Sequence, residues 1–357
     1  MDRVYGKPWK EICDEVRKIS PYGHVNGWRL ASFILKAGED IRREALVMQM
    51  ISKFRDWFEA EIPAERRPYL RPYTIMCVGG DAGLIECLTD SKSLDEVKKT
   101  TDGFISLRDY FVRAYGPPQR RRPIQPPPVG STPINGQSPQ QNPQQDRVVY
   151  SSQSQSYAQT IAQESAQPLA TRLANLTFEE AQDNFLRSLV GYSLVCYILQ
   201  IKDRHNANIL MDREGHIMHI DFGYVMGDTP RMGKVPLLSE RAPFKLSGEL
   251  MEVLGGWNVR NGGLGVKFCS MFEEAFACAS NHSDELASLV EGIMLTLTDN
   301  PTAARMHANG VRTRLRMRGP PGSRVQKMFI KDLVDMALTS WGTSTYDWLQ
   351  KNMNGYQ

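Results

Sequence analysis

From residue 39 to residue 61 apolar side chains return every three or four positions, at Ile41, Ala45, Met48, Ile51, Phe54 and Phe58, which predicts a long amphipathic helix. The run before it, "WRLASFILK" at 28–36, predicts a strand, and "YTIMCVGGDAGLIECL" after it sets two apolar runs around Gly79-Gly80-Asp81, the pattern of a hairpin. Strand, helix and hairpin together predict a small sheet unit. A short helical pattern follows in "FISLRDYFVRAY". Further on, Thr177 stands three residues before Glu180, a capping box that opens a long helix through "NFLRSLVGYSLVCYILQ". That helix is apolar nearly all round, which predicts the centre of a second, helical unit; its length, Gly191 and Ser193 argue against a membrane span. Helical patterns then occupy about 246–254, 264–280, 283–297 and 325–340, with a last one from about 343.

Composition changes abruptly at Gly116-Pro117-Pro118. From there to about Pro168 the chain is rich in Pro, Gln and Ser and cannot bury enough surface to offset its ordering entropy, so a disordered insertion is expected, with Arg120-Arg121-Arg122 as a solvated basic run. The 357 residues, 41% apolar and 23% charged, suffice for a two-lobed domain with an insertion or for two to three globular units. The longest apolar runs fall short of a spanning helix, and the Met-Asp-Arg start is not that of a signal peptide, so a cytosolic protein is expected. Cys13, Cys77, Cys87, Cys196, Cys269 and Cys278 lie far apart, which predicts reduced, mostly buried thiols rather than a disulfide framework or a zinc site. A net charge of +3 is too small to imply nucleic acid as a partner.

The chemistry concentrates in "IKDRHNANILMDREGHIMHIDFGY", residues 201–224. Phosphoryl transfer from ATP needs magnesium held by a carboxylate and an amide, a group that orients the acceptor hydroxyl, and a lysine on the phosphates. Protein kinases place an Asn five residues after the Asp of His-Arg-Asp; here the triplet reads Asp203-Arg204-His205, yet Asp203 and Asn208 keep that spacing. Asp221 opens Asp-Phe-Gly after a "DREG" turn between two apolar runs, a hairpin that would bring Asn208 and Asp221 to one edge to share a metal. Lys36 closes the first strand, and Glu44, one to two turns into the next helix, can pair with it. His216 and His219 read most simply as packing or hydrogen-bonding groups around the hairpin.

The order Asp-Arg-His with its Asn, "KAGEDIRRE", "GDAGLIE" and "APFKLSGELMEVLGG" resemble the phosphatidylinositol 3- and 4-kinase family over the whole chain except the insertion. The resemblance implies an α+β, two-lobed, protein-kinase-like fold: an N-terminal antiparallel sheet lobe over 1–92, the start of a larger, mainly helical lobe over 93–116, the insertion at 117–170, and the rest of that lobe over 171–357. It also implies that Lys36 contacts ATP phosphate with Glu44 in support. Glu86, Cys87 and Leu88 would form the hinge that holds adenine, with Ile85 beside it, and Asn208 and Asp221 would bind Mg2+. His205 and Asp203 would share the work on the acceptor hydroxyl, His205 as base because imidazole accepts a proton near neutrality, while Arg204 is structural. The phosphate-covering loop departs from a generic kinase: "ISPYGHVNG" supplies only Gly23 and Gly27, with Ser20 as phosphate donor or in a plain turn.

By the same resemblance the acceptor is selected after Asp-Phe-Gly, where Arg231, Lys234, Arg241 and Lys245 are never adjacent. Each phosphate on an inositol ring would add about 1.5 to 2 negative charges and call for clustered cations, so unphosphorylated phosphatidylinositol is expected, modified at its 4-hydroxyl. The expected partners are thus phosphatidylinositol in membranes, an anionic membrane surface and regulatory proteins; the expected location is cytoplasmic, peripheral to intracellular membranes such as the Golgi. Arg312, Arg314, Arg316, Arg318, Arg324 and Lys327, in a stretch without an acid, form one candidate membrane contact, and helical surfaces carrying Met328, Phe329, Leu333, Met336, Leu338, Trp341, Trp348 and Leu349 a second. A phosphatidylinositol 3-kinase, an atypical protein kinase and an inactive kinase-like scaffold stay open as alternatives; the presence of Lys36, Asp203, His205, Asn208 and Asp221 weighs against the last.

Overall fold

A computed structural model describes residues 2–38, 40–79, 82–118, 176–228, 231–232, 235–236, 242–257 and 263–340. Two helices without a counterpart in the sequence reading open the chain, α1 (Asp2–Tyr5) and α2 (Trp9–Ile19). The first strand, β1 (Phe33–Ala37), is shorter than the apolar run that predicted it. Its length is set by its partner β3 (Ala82–Glu86), which pairs with it from Phe33↔Glu86 to Ala37↔Ala82, while residues before it are spent on turns such as Gly23 N–H to Ser20 O and Trp28 N–H to Val25 O. With β2 (Ile75–Cys77) on the far side of β3, a three-stranded antiparallel sheet results in the order β1-β3-β2.

Helix α3 (Arg42–Glu61) packs against this sheet and buries Val47, Met48, Met50, Ile51, Phe54, Trp57 and Phe58. Its close approach needs Gly83: a Cβ there would stand 1.8 Å from Ile41 Cδ1 and 2.6 Å from the Met76 carbonyl oxygen. Because α3 begins at Arg42, Glu44 lies in its first turn.

A second three-stranded sheet follows, ordered β4-β5-β6, from β4 (Ser91–Ser93), β5 (Ile209–Asp212) and β6 (Ile217–His219). Ser91 and Lys92 pair with Asp212 and Met211, so the chain joins this second sheet before the expected boundary at residue 92. Helix α4 (Leu94–Thr100) starts from a reciprocal Ser93–Glu96 capping box, and α5 (Leu107–Tyr115) from Ser106. The insertion expected at 117–170 lies, from residue 119 onward, outside the described residues.

Helix α6 (Phe178–Leu199) opens with the Thr177–Glu180 box that the sequence displays, and every residue from Ser188 to Leu199 is buried. Within it Gly191 lets the 69–70 segment cross the helix, since a Cβ there would sit 2.6 Å from the Tyr69 carbonyl oxygen and 3.1 Å from a Leu70 methyl. Alanine in place of a mid-helix glycine normally gains about 0.5–1 kcal/mol. Here the overlap with backbone reverses the sign: Gly191→Ala should lose roughly 1–3 kcal/mol, seen as a lower urea midpoint with an unchanged slope.

Helices α7 (Gly248–Val253), α8 (Gly265–Asn281), α9 (Ser283–Thr298), α10 (Pro301–Leu315) and α11 (Arg324–Thr339) complete the described chain. The pattern missed α10, although Asn300 caps it and Pro301 occupies its first turn, a start signal present in the sequence. One continuous apolar core joins α3, α6, α8 and the hairpin β5–β6. Among the described helices none is long and apolar enough to cross a membrane. None of the six cysteines forms a disulfide, but only Cys196 and Cys278 are buried and Cys77 is exposed, so the expectation of mostly buried thiols is corrected: β2 is an edge strand and leaves Cys77 in solvent.

Candidate active site

The hairpin β5–β6 places the carboxylate and the amide as neighbours. Register runs from Ile209↔His219 to Met211↔Ile217, and one step beyond it the Ile220 N–H donates to the Asn208 carbonyl at 3.1 Å. Asn208 and the turn that leads to Asp221 therefore share one end of the ladder. The other end closes on Asp212, whose Oδ1 accepts the N–H groups of Glu214 and His216 at 2.9 Å each and whose Oδ2 lies 3.1 Å from His216 Nδ1. His216 stacks on Tyr69 and His219 on Tyr192, in keeping with packing roles.

Residues 203–208 are held as a tight turn. The Asn208 side chain donates to the Asp203 carbonyl at 3.0 Å, and the Asn208 N–H to the His205 carbonyl at 3.0 Å. Arg204, 2% exposed, donates to the carbonyls of Lys202 at 3.0 Å, of Ile220 at 2.7 Å and of Asp221, with its guanidinium 5.2 Å from the Phe222 ring centre. It binds the turn to the end of β6 and the start of Asp-Phe-Gly. Backbone strain gathers here: four of the six left-handed non-glycines among the described residues, Gln200 (φ 50°), Asp203 (64°), Asp221 (59°) and Met226 (58°), lie in this region, a conformation that persists where surrounding bonds enforce it.

Lys36 bridges the two halves of this region. Its Nζ lies 3.9 Å from Glu44 Oε2 and 3.9 Å from Asp221 Oδ1. Glu44 is buried and also accepts a bond from the Tyr73 hydroxyl. Burial raises its pKa above the ordinary range, and the Tyr73 bond and the Lys36 charge oppose that rise. Sequence reasoning missed Tyr73, which lies outside any motif and meets Glu44 only because the 69–73 segment crosses α3. A further pair, Arg43 with Asp228 at 2.5 Å, ties α3 to the residues after Asp-Phe-Gly.

His205 is buried, with Nε2 3.9 Å from Asp203 Oδ1. Burial pushes its pKa below the usual histidine range; the Arg204 and Lys245 charges push the same way, and Asp203 and Asp221 oppose them. A group so placed is a neutral imidazole near pH 7.

The remaining expected residues are dispersed. Glu86 ends β3 and Ile85 sits beside it, opposite Ile34 and Ile75. The Glu86 N–H donates to the Thr74 carbonyl and the Cys87 N–H to the Ser32 carbonyl, both at 2.9 Å, so the turn at Leu88 follows two occupied donors. Ser20 caps the end of α2, and its hydroxyl accepts the Tyr22 N–H at 3.3 Å, the plain-turn alternative. Lys234 and Arg241 lie outside the described residues, as does the side chain of Arg231. Lys245, expected among the cations of the acceptor-selecting segment, is 4% exposed and donates to Asn206 Oδ1 at 3.2 Å, with core residues Phe244 and Leu246 on either side.

The basic stretch also needs correction. Arg312 and Arg314 belong to α10; Arg312 pairs with Asp284 at 2.7 Å, and Arg314 is half-buried with Nε donating to the Ile198 carbonyl at 2.6 Å. Arg318 lies over Phe329, while Phe329 packs on Phe276 and Leu333 is buried, which leaves Met328 and Met336 as the exposed apolar groups of α11 among those expected. Trp341, Trp348 and Leu349 lie outside the described residues.

Residues 31–300 match the profile described as "Phosphatidylinositol 3- and 4-kinase", and this span contains Lys36, Glu44, Tyr73, Asp203, Arg204, His205, Asn208 and Asp221. The chain belongs to the phosphatidylinositol 3- and 4-kinase family. Similarity extends to phosphatidylinositol 4-kinase of Dictyostelium discoideum, 38% identical over 253 residues that make up 71% of this chain and 16% of that protein. It extends also to phosphatidylinositol 4-kinase beta 1 of Arabidopsis thaliana, 33% identical over 99% of this chain and 26% of the relative, and to phosphatidylinositol 4-kinase beta of Xenopus tropicalis, 31% identical over 98% and 35%. The chain thus spans between 16% and 35% of the length of these curated relatives. Kinases of this family use ATP and typically depend on Mg2+. The donor set fits that metal: a half-exposed carboxylate, Asp221, and an amide, Asn208, whose nitrogen is turned onto the Asp203 carbonyl, offer hard oxygen ligands at one end of the hairpin.

Proposed function

We propose that this chain transfers the γ-phosphate of ATP to the 4-hydroxyl of phosphatidylinositol, working peripherally on an intracellular membrane. The observation that carries the reading is the placement of Lys36 Nζ 3.9 Å from both Glu44 and Asp221, beside the Asp203–His205–Asn208 turn, in a chain whose relatives are named phosphatidylinositol 4-kinases. In this reading the fold is two-lobed: the β1-β3-β2 sheet with α3 forms the smaller lobe, and the helices around α6 with the β4-β5-β6 sheet the larger. Leu88, after two spent amides, offers its N–H to adenine, with Ile85 on the face of the sheet that carries Lys36.

Each side chain then has a task. Lys36, held by Glu44, which Tyr73 fixes in turn, neutralises phosphate charge. Asn208 and Asp221 hold Mg2+, which supplies charge neutralisation on the phosphates when bound. His205 takes the proton of the acceptor hydroxyl at its imidazole nitrogen, and Asp203 beside it orients that hydroxyl. Acceptor choice falls to the residues after Asp-Phe-Gly, among which Arg231, Lys234 and Arg241 meet the headgroup. Incubation with phosphatidylinositol vesicles, magnesium and labelled ATP should yield phosphatidylinositol 4-phosphate upon separation of the isomers; 3-phosphate alone, or labelled protein without labelled lipid, would sink the reading.

A further inference from the structure

The segment that follows Asp-Phe-Gly is fastened at both ends to residues 199–206. At its start the Met226 N–H donates to the Leu199 carbonyl at 2.8 Å, the Gly227 N–H to the Gln200 carbonyl at 3.4 Å, and the Lys202 N–H to the Tyr224 carbonyl at 2.9 Å. At its end two ammonium groups bridge to the same stretch: Lys202 Nζ donates to the Ala242 carbonyl at 3.1 Å and Lys245 Nζ to Asn206 Oδ1 at 3.2 Å. Lys202 is 8% and Lys245 4% exposed. Removing an ammonium from water is costly unless its protons find acceptors, and the apolar contacts of this stretch are already supplied by Ala242, Phe244 and Leu246. What a long stem with a charged donor adds is reach: it bonds a side chain in a different part of the chain.

We propose that Lys245 is a positioning residue for the acceptor side of the site: by holding Asn206 it fixes the turn that presents His205, and it seats the far end of the segment that selects the acceptor. The inference rests on the phosphotransfer reading above. Asn206 lies next to His205 and two residues before Asn208, so a tether there sets the turn from its middle. The nucleotide side, with Lys36 and Glu44, is carried by different elements, β1 and α3. Loss of Lys245 should therefore separate the two halves of the reaction.

The test compares Lys245→Met, which keeps most of the stem and removes the donor, with Asn206→Ala and the double variant. Lys245→Met should lower kcat for phosphatidylinositol phosphorylation about 10- to 100-fold, the scale of a misplaced reacting group, with the rise in Tm induced by metal-free ATP unchanged, because Lys36 and Glu44 lie outside the turn. Asn206→Ala should cost about as much, and the double variant no more than either alone, since both break one contact. Backbone amide exchange should quicken at residues 204–208 and 243–246 in Lys245→Met and stay unchanged in α3. A kcat within about twofold of the parent, additive losses, or a parallel loss of metal-free ATP binding would overturn the proposal. If the parent protein does not phosphorylate phosphatidylinositol, the acceptor reading falls, and amide exchange still decides the tether: unchanged exchange at 204–208 overturns it and quickened exchange supports it.

Discussion

Asp221→Asn should stop phosphoryl transfer, with kcat lowered about 10³-fold or more, equivalent to roughly 4 kcal/mol of lost charge stabilisation, and no change in melting temperature. The expectation rests on how little the fold asks of this carboxylate. Its side chain is half-exposed, and it faces Lys36 Nζ at 3.9 Å. The residue is left-handed at φ 59°, a conformation that asparagine adopts as readily as aspartate, so the backbone keeps its path. The carbonyl that Arg204 holds is retained as well. What the substitution removes is a negative charge beside Lys36 and the stronger of the two oxygen ligands available to magnesium. Initial rates with phosphatidylinositol vesicles, alongside thermal melts with and without Mg-ATP, check it. A retained rate would take Asp221 out of the metal site.

Arg204→Met should cost the fold roughly 3 kcal/mol, because carbonyls of Lys202, Ile220 and Asp221 lose a buried donor, each such loss being worth about 1–3 kcal/mol with partial relief from water. Methionine keeps much of the stem, so the loss reports hydrogen bonds rather than a cavity. The stacking over Phe222 goes too. Arg204→Lys should recover little of the stability, since one ammonium cannot span three carbonyls as a planar guanidinium does. Urea unfolding measures the effect, and a midpoint unchanged within error would show that Arg204 is not the clamp between the 203–208 turn and the Asp-Phe-Gly segment.

The candidate site was legible where its residues are close in sequence. Asp203, Asn208 and Asp221 announce themselves because one hairpin, with its turn at "DREG", brings them together without help from the rest of the chain. Lys36 and Glu44 were legible by order, strand and then helix, although α3 starts later than its pattern and sets Glu44 in the first turn. Tyr73 was not: its hydroxyl meets Glu44 across a crossing of segments 29 residues apart. Lys245 read as one of four spaced cations, and its burial follows from core residues on both sides, a property of packing rather than of spacing. Arg312 and Arg314 read as free charge in a run without an acid, yet their partners, Asp284 and the Ile198 carbonyl, come from distant helices.

By itself the sequence determined the helices with a cap or a clear period, among them α3 and α6, the two hairpins, and the order of the groups that phosphoryl transfer requires. All of these depend on interactions between residues a few positions apart, which pattern and spacing record. The tertiary structure alone decided how long β1 is, which cations are exposed, what holds Glu44, and how the segment after Asp-Phe-Gly is anchored. Each of those depends on desolvation and contact between parts of the chain far apart in sequence, and burial is a property of the whole fold that no local window contains.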